Sequence, residues 1–194
     1  IAMAIPSFSR GRIDQQLKDS ARGMLGALAY ARSEAIRTGN VHAVFFDVDA
    51  AGNALFDRAG NPVRVLVLDD GPLGSAGQNC NIDAAENIST VPLMNGLVAG
   101  VLPGVVAVAS DLGAGNIATG SSFTEPDGDP ATWVLFRPDG TPLSFDAGCN
   151  LGPTGSGAGA FYVHNGEREQ ALVLRPLGGM RVETWDQASA QWTN

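Results

Sequence analysis

The sequence predicts an α+β fold in which one long N-terminal helix packs on antiparallel β-sheets with long loops. Apolar residues recur with a helical period before residue 40, whereas beyond it they form short runs between turns. The 194 residues include 25 glycines and 11 prolines, which favours many turns and short strands over a helical bundle. Apolar residues make up 44% of the chain, enough to build a buried core.

Residues 1–40 are predicted to form the helical segment. Their apolar positions are spaced three or four residues apart, which places them on one face of a helix. Gly39 and Asn40 supply a stop signal at its end, and Pro6 predicts a kink or break near its start. The residues of the predicted face are Ile13, Leu17, Ala21, Met24, Leu28, Ala31 and Ala35.

Residues 41–194 are predicted to form a β-rich globular head. The Asn165-Gly166 pair between two apolar runs is a strong hairpin signal. Three stretches, 71–90, 110–131 and 146–160, are predicted to be loops, and 97–109 holds two short apolar runs around Pro103-Gly104. The predicted strands are 41–48, 63–68, 133–136, 143–145, 161–164, 170–175 and 180–185.

Charge is unevenly distributed along the chain. Residues 1–40 carry six basic and three acidic side chains, whereas residues 41–194 carry six basic and seventeen acidic ones. The net charge of −8 disfavours general nucleic-acid binding, which needs clustered Lys and Arg. We expect either a solvated surface or charge-complementary stacking of the basic segment against neighbouring molecules.

The only two cysteines, Cys80 and Cys149, both lie in predicted loops. In an exported protein such a pair is typical of a disulfide, whereas in a reducing compartment both would remain thiols. We predict the disulfide. Closing a loop of this length stabilises a fold by about 4 kcal/mol in the chain-entropy model.

Candidate chemistry is sparse. His42 at a strand start and His164 beside a turn are interpreted as surface or half-buried residues rather than general bases. Residues 113–118 fit a loose dinucleotide-binding pattern, but no helix is predicted to follow them. Residues 47–53 and 127–129 are similar to calcium loops, yet turn-forming Asp and Asn also explain them. The sequence therefore predicts no catalytic residue, cofactor or metal site.

Several separate motifs stand out along the chain. They are Ala-Ile-Pro-Ser-Phe at 4–8, Ala-Leu-Ala-Tyr-Ala-Arg-Ser-Glu-Ala-Ile-Arg-Thr-Gly-Asn at 27–40, Leu-Pro-Gly-Val at 102–105, Val-Leu-Phe-Arg-Pro-Asp-Gly-Thr at 134–141, Ala-Leu-Val-Leu-Arg-Pro-Leu-Gly at 171–178 and Met-Arg-Val at 180–182. Together these motifs resemble those of the GspH/FimT family of minor pseudopilins and minor pilins. The resemblance extends over residues 1–48 and 132–185, with a shorter similar element at 102–105.

The resemblance implies a non-catalytic subunit at or near the tip of a type II secretion pseudopilus or a type IV pilus. Its implied partners are other minor and major pilins or pseudopilins, with an inner-membrane anchor in an apolar helix upstream of Ile1. The resemblance also implies a signal segment that a prepilin peptidase processes by cleavage and methylation. The head would then lie in the periplasm, or outside the cell in a pilus. The residues implied to pack the helix in the filament are Ile5, Pro6, Phe8, Ile13, Leu17, Met24 and Leu28.

Two alternative functions remain open at this stage. One is a minor pilin that binds DNA for uptake, a role that in this family depends on basic residues near the C terminus. Here the closing strand offers only Arg175 and Arg181, followed by acidic residues, which disfavours nucleic acid as a partner. The other alternative is a calcium- or glycan-binding β module.

Overall fold

The computed structural model describes residues 5–92 and 94–193, with side chains described from Gly11 onward. A single α-helix, α1, precedes all the strands, and the only other helical element in the described chain is a 3₁₀ turn at Ile117–Thr119. The bounds are α1 Ile5–Thr38, β1 Asn40–Phe46, β2 Val63–Pro72, β3 Ile88–Pro92, β4 Val98–Ala99, β5 Trp133–Phe136, β6 Pro142–Leu143, β7 Gly159–His164, β8 Glu169–Leu174, β9 Met180–Asp186 and β10 Gln191–Thr193.

The strands form two five-stranded antiparallel sheets. Sheet 1 has the order β3-β2-β1-β5-β6, and sheet 2 has the order β10-β9-β8-β7-β4. The helix packs on both sheets and shares one hydrophobic core with them. Aromatic rings connect the sheets, since Phe46 of β1 stacks on Phe161 of β7 with ring centroids 4.6 Å apart. The predicted α+β fold, with one helix on antiparallel sheets, is confirmed.

The strand predictions are right in position but wrong at several boundaries. β2 continues to Pro72 and β3 begins at Ile88, so both enter the predicted loop 71–90. β7 begins at Gly159, inside the predicted loop 146–160, and only Val98–Ala99 of residues 97–109 forms a strand. β3, β4 and β10 are short edge strands, and edge strands have one neighbour and a weak apolar pattern.

Sheet 2 is covered on both faces. Alternate residues of β7 and β8 point to opposite sides, as the period of a strand requires. Phe161, Val163 and Leu172 belong to the core shared with the helix. Tyr162, Val173 and their neighbours form a second, smaller cluster with Val108 on the other face. That face lies under residues 101–113, which we call the cover.

Candidate functional site

The predicted helix face is the face that packs on the head. Leu17, Met24 and Leu28 are each no more than 2% exposed, and the alanines at 21, 31 and 35 are equally buried. Ile13 is 36% exposed. The side chains of Ile5, Pro6 and Phe8 lie outside the described residues, although Ile5–Thr38 is one helix. Leu17, Met24 and Leu28 therefore make their contacts within this chain.

The N-terminal part of the helix is held at the β7–β8 turn. The Asp14 carboxylate accepts a hydrogen bond from the side-chain amide of Asn165 at 2.9 Å and forms a 3.0 Å ion pair with Arg168. Asp14 lies nine positions after Ile5, which corresponds to about 14 Å of helix. Asp14 is the first position along the helix at which a side-chain bond to the head is described.

Arg32 joins the helix to two distant turns. Its Nε donates to the carbonyl oxygen of Gly140 at 3.1 Å, and its terminal nitrogen donates to the carbonyl oxygen of Leu177 at 3.4 Å. Gly178 packs against the same guanidinium, because a Cβ atom there would lie 2.7 Å from Nε and 2.6 Å from the Gly140 oxygen. We call this group, Arg32 with residues 137–141 and 175–179, the helix–turn clamp.

Both turns of the clamp have one conformation that recurs along the chain. In each five-residue turn, the N–H of the first residue donates to the carbonyl oxygen of the fifth residue. The N–H of the fourth residue donates to the carbonyl oxygen of the first. The fourth residue has a positive φ, which Gly adopts at little cost. The sequence analysis missed this recurrence, although Gly at the fourth place gives a visible signal in five of the six turns. The turns are 49–53, 57–61, 125–129, 137–141, 146–150 and 175–179.

Cys80 and Cys149 are joined by a disulfide between sequence positions 69 apart. Cys149 is the fourth residue of the turn 146–150, where it holds the positive φ that Gly holds in the other five turns. The buried carboxylate of Asp70 accepts the backbone N–H groups of Asn79 and Cys80, and burial raises the pKa of Asp70. The side chains of Asp70, Cys80 and Cys149 lie close together. Disulfide sulfurs are not thiolates, however, and are therefore poor metal ligands.

His42 is buried. The prediction that it is a surface or half-buried residue is therefore wrong. His42 is 3% exposed at the edge of a cavity of about 330 Å³ between the helix and sheet 1. Its Nδ1 has no hydrogen-bond partner among the described residues, and burial lowers the pKa of His42. Its Nε2 lies 4.0 Å from the Asp69 carboxylate, the nearest group of opposite charge.

His164 is half-buried, as predicted, and its pKa is also lowered by burial. Its Nδ1 accepts the backbone N–H of Gly166 at 3.2 Å. His164 and His42 lie on different sheets and share no contact in the described structure. Among the described residues, neither histidine forms a hydrogen bond with a Ser, Thr or Cys side chain.

In the segments similar to calcium loops, the carboxylates of Asp47, Asp49 and Asp127 bond to other groups of this chain. Asp47 pairs with buried Arg64 at 3.1 Å, whereas the Asp49 carboxylate accepts the N–H groups of Ala51 and Asn53 within its own turn. Asp127 likewise accepts the N–H of Asp129 at 3.2 Å. The two Asp side chains at 47 and 49 therefore have separate partners rather than one shared centre.

The glycines of the dinucleotide-like pattern serve close packing. A Cβ at Gly113 would lie 2.3 Å from the Ser122 carbonyl oxygen, and one at Gly115 would lie 2.9 Å from the Phe123 carbonyl oxygen. The pattern is followed by one 3₁₀ turn at Ile117–Thr119. A phosphate-binding helix needs a longer element than this.

Arg181, one of the two basic residues of the closing strand, is neutralised by a neighbour. It forms a 2.5 Å ion pair with Glu183, and Ser110 of the cover bonds to both side chains. A guanidinium with such partners is less available to a phosphate, because binding DNA would first require this pair to separate.

Comparisons with known proteins give no relative: no protein family, curated protein or solved structure matches this chain. The described part of the chain contains no helix with the length and apolarity that crossing a bilayer requires.

Proposed function

We propose that this protein is a non-catalytic structural subunit, a minor pseudopilin or minor pilin, that assembles at or near the tip of a type II secretion pseudopilus or a type IV pilus. The observation that carries the proposal is the helix–turn clamp. Three segments that resemble the GspH/FimT family lie far apart in the sequence, at 27–40, 134–141 and 171–178. In the fold they meet at Arg32, Gly140 and Gly178.

The difference between the buried and the exposed face of the helix also supports the proposal. One face is buried in the head through Leu17, Met24 and Leu28, while Lys18, Arg22 and other outward residues remain exposed. A filament built around helices needs each helix to hold its own head and still present a surface to its neighbours. The basic helix segment and the acidic head have opposite charges, which favours contacts between different subunits.

The proposed partners are other minor and major pilins or pseudopilins, and the proposed location is the cell envelope with the head outside the inner membrane. The disulfide is consistent with an oxidising compartment. The DNA-uptake alternative has no comparable support, because Arg181 is paired with Glu183.

A capture experiment tests this proposal. The chain, tagged at its C terminus, is mixed at low salt with the separately purified heads of the pilins and pseudopilins of the same organism. We expect it to retain at least one of them. The double variant Lys18→Glu/Arg22→Glu should weaken that binding at least tenfold, whereas the control reversal Arg58→Glu, at an exposed residue of the head turn 57–61, should not.

An assembly assay provides the second arm. Deletion of the gene should reduce either type II secretion or surface piliation, and the wild-type gene should restore it. Capture of none of these heads, together with normal secretion and piliation in the deletion strain, would show that the protein is not a filament subunit.

A further inference from the structure

Glu169, the first residue of β8, is a fully buried carboxylic acid. Its side chain is 0% exposed, and one oxygen accepts the backbone N–H of Leu102 at 2.8 Å. The other oxygen, Oε1, is buried with no hydrogen-bond partner among the described residues. A buried carboxylate with a single donor is costly, because ionisation leaves most of its charge without hydrogen bonds.

Leu102 belongs to the cover, so Glu169 connects the start of the cover to sheet 2. After Leu102, the cover is held by hydrogen bonds to side chains of sheet 2. The Tyr162 hydroxyl accepts the N–H of Val108 at 3.2 Å and donates to Asp111 at 2.7 Å. Trp192 donates from its ring nitrogen to the carbonyl oxygen of Val106 at 2.7 Å. Glu169 therefore holds Leu102, and these contacts hold the rest of the cover, while the backbone bond from the Gly100 N–H to the Tyr162 carbonyl oxygen fixes the chain just before it.

The titratable and charged groups on the surrounding elements do not neutralise Glu169. His164 lies directly opposite on β7, and burial lowers its pKa, which favours the uncharged imidazole. Tyr162 stays protonated, because burial and Asp111 raise its pKa. Glu183 and Arg181 of β9 pair with each other, and Arg168, next to Glu169 in the chain, pairs with Asp14 of the helix.

We propose that Glu169 is a pH-dependent latch, which keeps the cover closed over sheet 2 at Leu102 while protonated and releases Leu102 when it ionises. The charged carboxylate is far better solvated by water than by one backbone N–H. Opening at Leu102 removes the segment that donates to this carboxylate and exposes it to water. The device needs no ligand, and it does not depend on the proposed filament function.

The direction of the effect follows from linkage. Burial raises the pKa of Glu169 from its ordinary 4.5 to about 7, so the closed state holds the proton over this range and an open, hydrated state does not. Below pH 4.5 both states are protonated and the closed cover keeps its full stability. As pH rises towards 7, the part of that stability contributed by the Glu169 proton is lost. We expect the equilibrium constant for opening to increase by one to two orders of magnitude between pH 5 and pH 8.

Amide hydrogen exchange tests the proposal on the complete chain. Exchange at Leu102 and along the cover is measured at pH 5, 6, 7 and 8 and divided by the intrinsic rate at each pH. We expect protection at Leu102 to fall by at least tenfold from pH 5 to pH 8. In Glu169→Gln, which cannot ionise, protection should be independent of pH, while the matched variant Asp127→Asn on a distant turn should behave as the wild type.

A titration of the wild-type protein keeps the proposal falsifiable if Glu169→Gln does not fold. The side-chain carboxyl ¹³C shift of Glu169 and the amide shift of Leu102 should titrate with one midpoint near pH 7. A Glu169 midpoint near 4.5, or constant protection at Leu102 across the range, would overturn the latch. So would a loss of protection that persists in Glu169→Gln, because another group would then control the cover.

Discussion

The two faces of sheet 2 are both buried, but by different physical means. Phe161 and Leu172 on one face join a large apolar core with the helix and sheet 1. Tyr162 and Val173 on the other face belong to a cluster of five buried residues, one of which is Val108 of the cover. The cover is attached there mainly by hydrogen bonds of the Tyr162 hydroxyl. The helix side depends on apolar area, whereas the cover side depends on satisfied polar groups. Perturbations of the two sides should therefore differ in size and in sensitivity to pH.

The largest effect is expected from the disulfide, which joins Cys80 of the main core to the turn 146–150. Replacing both cysteines with serine should lower the free energy of unfolding by about 4 kcal/mol, because a long loop is released in the unfolded chain. Urea unfolding of the wild type in the absence and presence of reductant provides the check. Equal midpoints in the two conditions would show that the long loop contributes no restraint.

The helix side should respond strongly to loss of volume. Met24 is completely buried, and Met24→Ala should lower the free energy of unfolding by about 3 kcal/mol through lost burial and a cavity. Leu112→Ala on the cover is the control, since Leu112 is 63% exposed and should cost less than about 1 kcal/mol. Denaturant midpoints measure both, and similar losses at the two positions would remove the distinction between the sides.

The helix–turn clamp should respond to a single added methyl group. Gly178→Ala should cost about 2 to 3 kcal/mol, because its Cβ would enter the contact between Arg32 and Gly140 at a positive φ. Gly60→Ala is the matched control: Gly60 occupies the same place in an equivalent turn but has open space around it, so it should cost only about 1 kcal/mol. The difference between the two thermal midpoints isolates the packing at Arg32.

The smallest effect is expected at the cover. Tyr162→Phe removes the acceptor of the Val108 N–H and one donor to Asp111, and should cost about 1 kcal/mol. Hydrogen exchange should accelerate at Val108 but not in the helix. Tyr30→Phe, whose side chain is half-exposed on the helix, should change neither. Faster exchange throughout the molecule would mean that the cover and the core open as one unit.

The sequence predicted the helix and its buried face because apolar residues recur there with a helical period, and it predicted the central strands because they are short apolar runs between turns. It could not predict the cover. Tyr162 and Phe161 are adjacent and both buried, so the absence of alternation indicates two covered faces without saying what covers them. Nor could it predict the position of His42 or the partners of Arg32, because these depend on contacts between residues far apart in the sequence. The six similar turns carry a local signal in their glycines, but their shared conformation depends on backbone hydrogen bonds that the sequence does not display.

The packing of α1 on both sheets has a mechanical consequence. A pull along the helix axis from its N-terminal end loads three sets of contacts at the same time: those of Asp14 at the β7–β8 turn, those of the buried side chains and those of Arg32. These contacts lie side by side along the axis, so tension shears them together instead of peeling them one by one. We therefore expect the helix to resist extraction at forces that would readily unzip a single terminal hairpin such as β9–β10.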